Sequence, residues 1–140
     1  MKFYKKEISF KPFKRGFHLI TKEIVESFPE IATISMGELQ VFIKHTSASL
    51  TINENADASV RTDFENHLNH MEPENQSYYI HTYEGADDMP AHIKSSLMGS
   101  SIQIPITNGK LNIGIWQGIY LCEHRDSGGN RTIILTAFGN

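Results

Sequence analysis

The chain has 140 residues, 39% hydrophobic and 21% charged, with a formal net charge of -3. Such a composition suits one globular domain over residues 1–140, and its scattered cations exclude the basic stripe of a nucleic-acid module. No apolar run approaches the length of a membrane span or a leader segment, and the single cysteine, Cys122, excludes an internal disulfide; a cytoplasmic protein without membrane or nucleic-acid partners is expected.

Residues 3–10 alternate in polarity as an edge strand does, and Lys5, Lys6, Lys11, Lys14 and Arg15 form a solvated basic face. Thr21 is placed to cap a short helix carrying Ile24, Val25 and Phe28, stapled by Ile20 and stopped near Pro29. Leu39, Val41 and Ile43 alternate with Gln40, Phe42 and Lys44 in a strand over 38–45 with one apolar face. Continued, that alternation puts His45, Ser47 and Ser49 on the apolar side and Thr46, Ala48 and Leu50 on the other. The core face thus turns polar abruptly. Burying those groups without partners is costly, so this strand end is either a tightly hydrogen-bonded rim or the edge of a pocket.

A strand over 48–53 follows, and Asp57 then caps a helix with Val60, Phe64, Leu68 and Met71 on one stripe. Asp63, His67 and His70 share another face of that helix and read as solvated surface. Pro90 suits the first position of a further short helix, and Gly99 suits its left-handed C-terminal cap. From Ser101 the pattern is continuous β structure: SIQIPIT, a turn at Asn108-Gly109, KLNIGIWQGIYLCEH and RTIILTAF. This order predicts an α+β domain, an antiparallel β-sandwich or partly closed barrel with two to three short helices at one side. Its sheet edges need cover, which a homo-oligomer would supply.

The stretch HTSASLTINENAD, His45 to Asp57, carries more chemistry than a scaffold needs. Four histidines fall at predicted element ends or loops and are expected to converge: His45, His81, His92 and His124. Imidazoles with Glu84, Asp87 and Asp88 favour a divalent ion such as zinc or magnesium. His81, His92 and His124 are the metal-ligand candidates, with Glu84, Asp88 and Glu123 as orienting groups or bases. Cys122, with Tyr120 and His124 on its strand face, reads as a buried hydrophobe. The hydroxyls of HTSAS with Lys94, Arg125 and Arg131 could hold a phosphorylated small molecule. No P-loop, GxGxxG or GxSxG is present, so a nucleotide fold or nucleophile elbow is not indicated.

The blocks HTSASLTINENAD, HTYEGADDMPAHIKSSLMG and GIWQGIYLCEHRDSGGNR resemble the signature segments of the YjbQ-like proteins, the secondary thiamine-phosphate synthase family, over about Phe10 to Phe138. That resemblance implies a small α+β protein, assembled as a homotrimer, with a pocket of histidines and acids that holds a metal ion in some members. It maps onto His45, Thr46, Ser47, Ser49, Asn53, Glu54, Asp57, His81, Glu84, Asp88, His92, Ser96, Trp116, Gln117, Glu123, His124 and Arg131. The implied activity joins a pyrimidine diphosphate to a thiazole phosphate, releasing pyrophosphate. In that frame His45, Ser47, Glu84, Glu123 and Arg131 are the catalytic candidates. Thr46, Ser49, Asn53, Asp57, Asp88, Lys94, Trp116 and Gln117 are substrate-binding candidates, Trp116 by stacking on the pyrimidine. Metal-dependent hydrolysis of a small phosphate or ester, and non-catalytic ligand binding, are the competing expectations.

Overall fold

The computed structural model describes residues 1–140. In chain order the elements are β1 (Lys2–Phe10), β2 (Gly16–Leu19), α1 (Thr21–Ser27), a 3-10 turn (Pro29–Thr33), β3 (Met36–Ile43), β4 (Ala48–Glu54), α2 (Ala58–Met71), α3 (Asp88–Met98), β5 (Ser101–Thr107), β6 (Lys110–Leu111), β7 (Gln117–Glu123) and β8 (Arg131–Gly139). Every strand pair is antiparallel. The strands form a five-stranded sheet, β1-β8-β3-β5-β6, and a three-stranded sheet, β2-β7-β4. The class is α+β, as expected. No helix is long and apolar enough to cross a membrane.

Side-chain alternation sends one face of each sheet into a shared core. Leu39, Val41, Ile43, Ile104, Ile106, Ile133, Leu135 and Ala137 of the larger sheet belong to one cluster with Ala48, Leu50, Ile119 and Leu121 of the smaller. The smaller sheet is covered on its outer face as well, where Phe17, Tyr120 and Cys122 pack against Phe64 and Leu68 of α2 and Met98 of α3. Six of the seven β7 residues are therefore buried. At the turn between β5 and β6 both central residues have positive φ, Asn108 at 51° and Gly109 at 75°, which is the backbone a tight hairpin requires. Asp57 caps α2 by accepting from the Ser59 N–H.

Four local expectations are corrected. The alternation of β3 stops at Ile43, the chain bends over 44–47, and β4 resumes with Ala48 and Leu50 in the core while Ser49 points to the helices. The apolar side chains set the strand's facing, and the intervening bend reverses the parity extrapolated from β3. The cap position of α1 is Ile20, with no side-chain cap, because the Thr21 hydroxyl accepts from the Ile119 N–H and ties α1 to β7. Pro90 is the third residue of α3; the helix begins at Asp88. The segment 110–124 is not one strand: β6 has two residues, and a turn follows in which the Gln117 side chain accepts from the Gly114 N–H.

Candidate metal centre

The bend at 44–47 and the first turn of α3 meet at one end of the smaller sheet. There the His92 Nδ1 lies 2.9 Å from the Thr46 carbonyl oxygen. A carbonyl only accepts, so Nδ1 carries the proton, and in the neutral ring Nε2 is left with its lone pair. That Nε2 sits 3.2 Å from Asp88 Oδ2, one helical turn earlier, and His81 Nε2 sits 2.8 Å from the same oxygen. The three ligand atoms lie within 4.8 Å of one another.

Asp88 is 2% exposed, and its other oxygen, Oδ1, is 2.9 Å from the Arg125 Nη1. Arg125 also donates from Nε to Asp87 at 3.1 Å and from Nη2 to the Glu84 carbonyl at 2.9 Å, binding the loop before α3 to the end of β7. Asp88 thus turns one oxygen to a guanidinium and one to the histidines. Between Asp88 Oδ2 and a neutral His92 Nε2 two acceptors face each other, an arrangement that a cation or an added proton relieves. Tetrahedral zinc at about 2.0–2.1 Å from each ligand separates ligand atoms by about 3.3 Å, near the 2.8 and 3.2 Å from Asp88 Oδ2 to the two imidazole nitrogens. The donor set of two imidazoles and one carboxylate fits a divalent ion, and His81, with its side chain half exposed, leaves the outer side open.

The histidines divide accordingly. His45 and His92 line one small polar cavity with Thr46, Ser95, Ser96, Gly99 and Ser100. His45 Nε2 accepts from the Thr132 N–H at 2.8 Å, and burial, then the Arg131 charge, lowers its pKa, so it is a neutral ring with its proton on Nδ1. His124, expected as a ligand, does not join the cluster. It is 1% exposed, its Nε2 is 2.7 Å from Ser49 Oγ, and it lies on the helix-covered face of the smaller sheet. Burial, reinforced by Lys94, lowers its pKa to about 3.

Because His124 is neutral when folded but titrates in the unfolded chain near 6.5, its contribution to stability is fully present above that pH and is lost as pH falls toward about 3. Unfolding free energy is therefore expected to fall by about 1.4 kcal/mol per pH unit from this one site over the acid range. Urea titrations from pH 7 to pH 4 on the wild type and His124→Gln check it; equal slopes in the two proteins refute it.

Other predicted site residues are placed elsewhere. Glu123 and Arg131 are 0% and 3% exposed and pair with each other, with Arg131 Nε 2.7 Å from Oε1 and Nη2 2.5 Å from Oε2. Arg131 Nη2 also donates to the Ser47 carbonyl and hydroxyl. A Cβ at Gly128 would collide with both ionic groups. This pair clamps the bend before β4 and presents no face to a substrate. Lys94 is 1% exposed and donates to Asn69 Oδ1 at 2.6 Å beneath α2, with its pKa lowered by burial. It is not available to a phosphate. Burial also pushes the Cys122 thiol up to about 12, which makes it inert.

Asn53, Asp57, Trp116 and Gln117 lie at the opposite end of the smaller sheet. Gln117 and Glu123 terminate β7 at its two ends, about 20 Å apart at strand rise. Trp116 is 63% exposed in the turn before β7, neither in the core nor beside the histidines. Asn53 accepts from the Glu54 N–H. Glu84 is exposed on the loop between His81 and Asp88, 3.8 Å from the Arg125 Nη1. The residue that sequence reasoning undervalued is Asp88. Its spacing of four from His92 in DDMPAH was the available signal, since a helix places such residues on one face.

An α+β domain of two packed sheets with helices over the smaller one, carrying a candidate centre of two histidines and one carboxylate at a sheet end, defines the class. The family model described as "UPF0047 protein YjbQ-like" matches residues 6–140, and the chain belongs to that family. The UPF0047 protein YjbQ of Salmonella typhimurium is 49% identical over 136 residues, 97% of this chain and 98% of the relative. YugU of Bacillus subtilis is 38% identical, covering 86% and 87%. A solved Clostridium acetobutylicum structure, described as an uncharacterized conserved protein of the same family, is 40% identical with a TM-score of 0.83, covering 95% of this chain and 99% of that one. A Sulfolobus solfataricus YjbQ-like protein of unknown function at 24% identity shares the fold, with a TM-score of 0.87 over 99% of both chains.

Proposed function

We propose that the protein is a metal-dependent enzyme acting on a small phosphorylated substrate, with His81, Asp88 and His92 holding a divalent ion. The observation that carries this reading is the Thr46 carbonyl, which holds the proton on His92 Nδ1 and turns the opposite ring nitrogen toward Asp88 and His81. A divalent ion at such a site supplies Lewis acidity, polarising a phosphoryl oxygen and activating water. The chain's own groups do the rest. Thr46 and Arg125 hold His92 and Asp88 in orientation, and Glu84 offers an exposed carboxylate on the same loop for proton transfer.

Hydrolysis is the better supported reaction. The synthase reaction implied by the family resemblance requires neutralisation of a departing pyrophosphate, yet Lys94 and Arg131 are buried and engaged and Arg125 is paired with acids. The test uses protein purified without an affinity tag, loaded with zinc or magnesium. Phosphate release from small phosphate monoesters, lost on chelation and restored by metal, is the expected result. Coupling of a pyrimidine diphosphate to a thiazole phosphate with no monoester hydrolysis would replace this reading with the synthase. Turnover of neither, with saturable ligand binding, would leave a binding protein.

A further inference from the structure

The cavity beside the candidate metal centre has a volume of about 290 Å³ and not one hydrophobic residue in its wall. Thr46, Ser96 and Ser100 contribute hydroxyls that make no hydrogen bond within the chain, and His45 brings an Nδ1–H whose opposite nitrogen is already occupied by Thr132. His92 is common to this wall and to the metal cluster, so a molecule in the cup lies against the centre. The cup runs along one face of α3, from His92 through Ser95 and Ser96 to Gly99 and Ser100 just past the helix end. Neither His45, whose pKa is lowered, nor any lysine or arginine supplies a positive charge in the wall.

These features select against two kinds of occupant. An aromatic ring would find no apolar or aromatic surface to replace its hydration. A phosphate held deep in the cup, away from the centre, would find no lysine or arginine in the wall to pair with. Hydroxyl groups both donate and accept, and they match a wall of hydroxyls and one imidazole N–H.

We infer that the cup is the subsite for the uncharged, hydroxylated part of the substrate, making the substrate a small sugar or polyol phosphate whose phosphoryl group lies at the metal. The inference rests on the proposed metal-dependent reading for the position of the phosphoryl group; the selectivity of the cup stands on its wall alone. The size agrees, because about 290 Å³ is at the lower end of small-molecule sites and leaves room for a chain of a few carbons but not a dinucleotide.

The test compares ribose 5-phosphate, phenyl phosphate and inorganic phosphate by calorimetric titration, in zinc-loaded and in chelated protein. Ribose 5-phosphate is expected to bind about tenfold or more tightly than phenyl phosphate, as a few net hydrogen bonds would supply. The Ser96→Ala/Ser100→Ala double variant is expected to lose that ratio while keeping its zinc content, since neither residue touches the metal cluster and both are exposed. Equal or tighter binding of phenyl phosphate, a ratio unchanged in the double variant, or no binding of ribose 5-phosphate at millimolar concentration each overturns the inference. Failure of the metal reading shows separately, as an affinity for inorganic phosphate that chelation does not change, and the sugar-to-phenyl ratio in chelated protein then still decides the cup.

Discussion

Asp88→Asn protein is expected to bind zinc at least about 100-fold more weakly than the wild type, beyond the range caused by loss of an orienting neighbour alone. Asp88 is the only anion in the cluster, and one of its oxygens is shared by both imidazoles at 2.8 and 3.2 Å. Asparagine keeps the volume and a carbonyl oxygen but removes the charge that offsets a dication in a site where the carboxylate is 2% exposed. It also weakens the contact with Arg125, which retains Asp87, so a stability loss of about 1–3 kcal/mol accompanies the loss of metal. His81→Ala separates the effects, because His81 is half exposed and lies in a loop. That variant should lose metal and keep its unfolding midpoint. Competition titrations against a zinc chelator read the first quantity and urea unfolding the second. Zinc affinity within threefold of wild type in Asp88→Asn would remove this site from consideration.

Arg131→Ala is expected to lose about 3–5 kcal/mol of stability, because it strands the fully buried carboxylate of Glu123 without its counter-ion. It also removes the donors to the Ser47 backbone and hydroxyl that shape the bend before β4. A double replacement, Glu123→Met with Arg131→Met, should recover much of the loss, since two apolar side chains leave no buried charge unpaired. Any effect on the metal centre is then secondary to folding. A thermal midpoint in Arg131→Ala within a few degrees of wild type, with activity gone, would return Arg131 and Glu123 to the catalytic machinery.

Much of the fold was legible in the residues because the signals were local. Asn108-Gly109 between alternating strands specified a hairpin through the backbone freedom of two residues, and Asp57 specified a helix start through its own side chain. The period-2 runs read at 38–45 and 131–138 marked two strands, which the fold places at Met36–Ile43 and Arg131–Gly139 with their apolar faces buried against the other sheet. The presence of histidines and acids around 81–92 was likewise readable as a metal-capable composition, and His81 with His92 stands in the cluster.

The site itself was decided by contacts between segments far apart in sequence. Glu123 and Arg131 look like catalytic groups in a polar loop until β8 is placed beside the bend at Ser47, where they satisfy each other. His124 looks like a ligand until β7 is seen to be covered on both faces, which gives its ring Ser49 as a partner and no access to the outside. Trp116 and Asp57 adjoin chemically rich blocks in the chain but lie at the far end of the strands that carry those blocks. Sequence alone determined which residues have chemistry to offer and the local turns, caps and periods. Only the tertiary structure determined which of those groups are neutralised by a neighbour and which remain open, because hydrogen-bond satisfaction and burial depend on what the rest of the fold brings within about 3 Å.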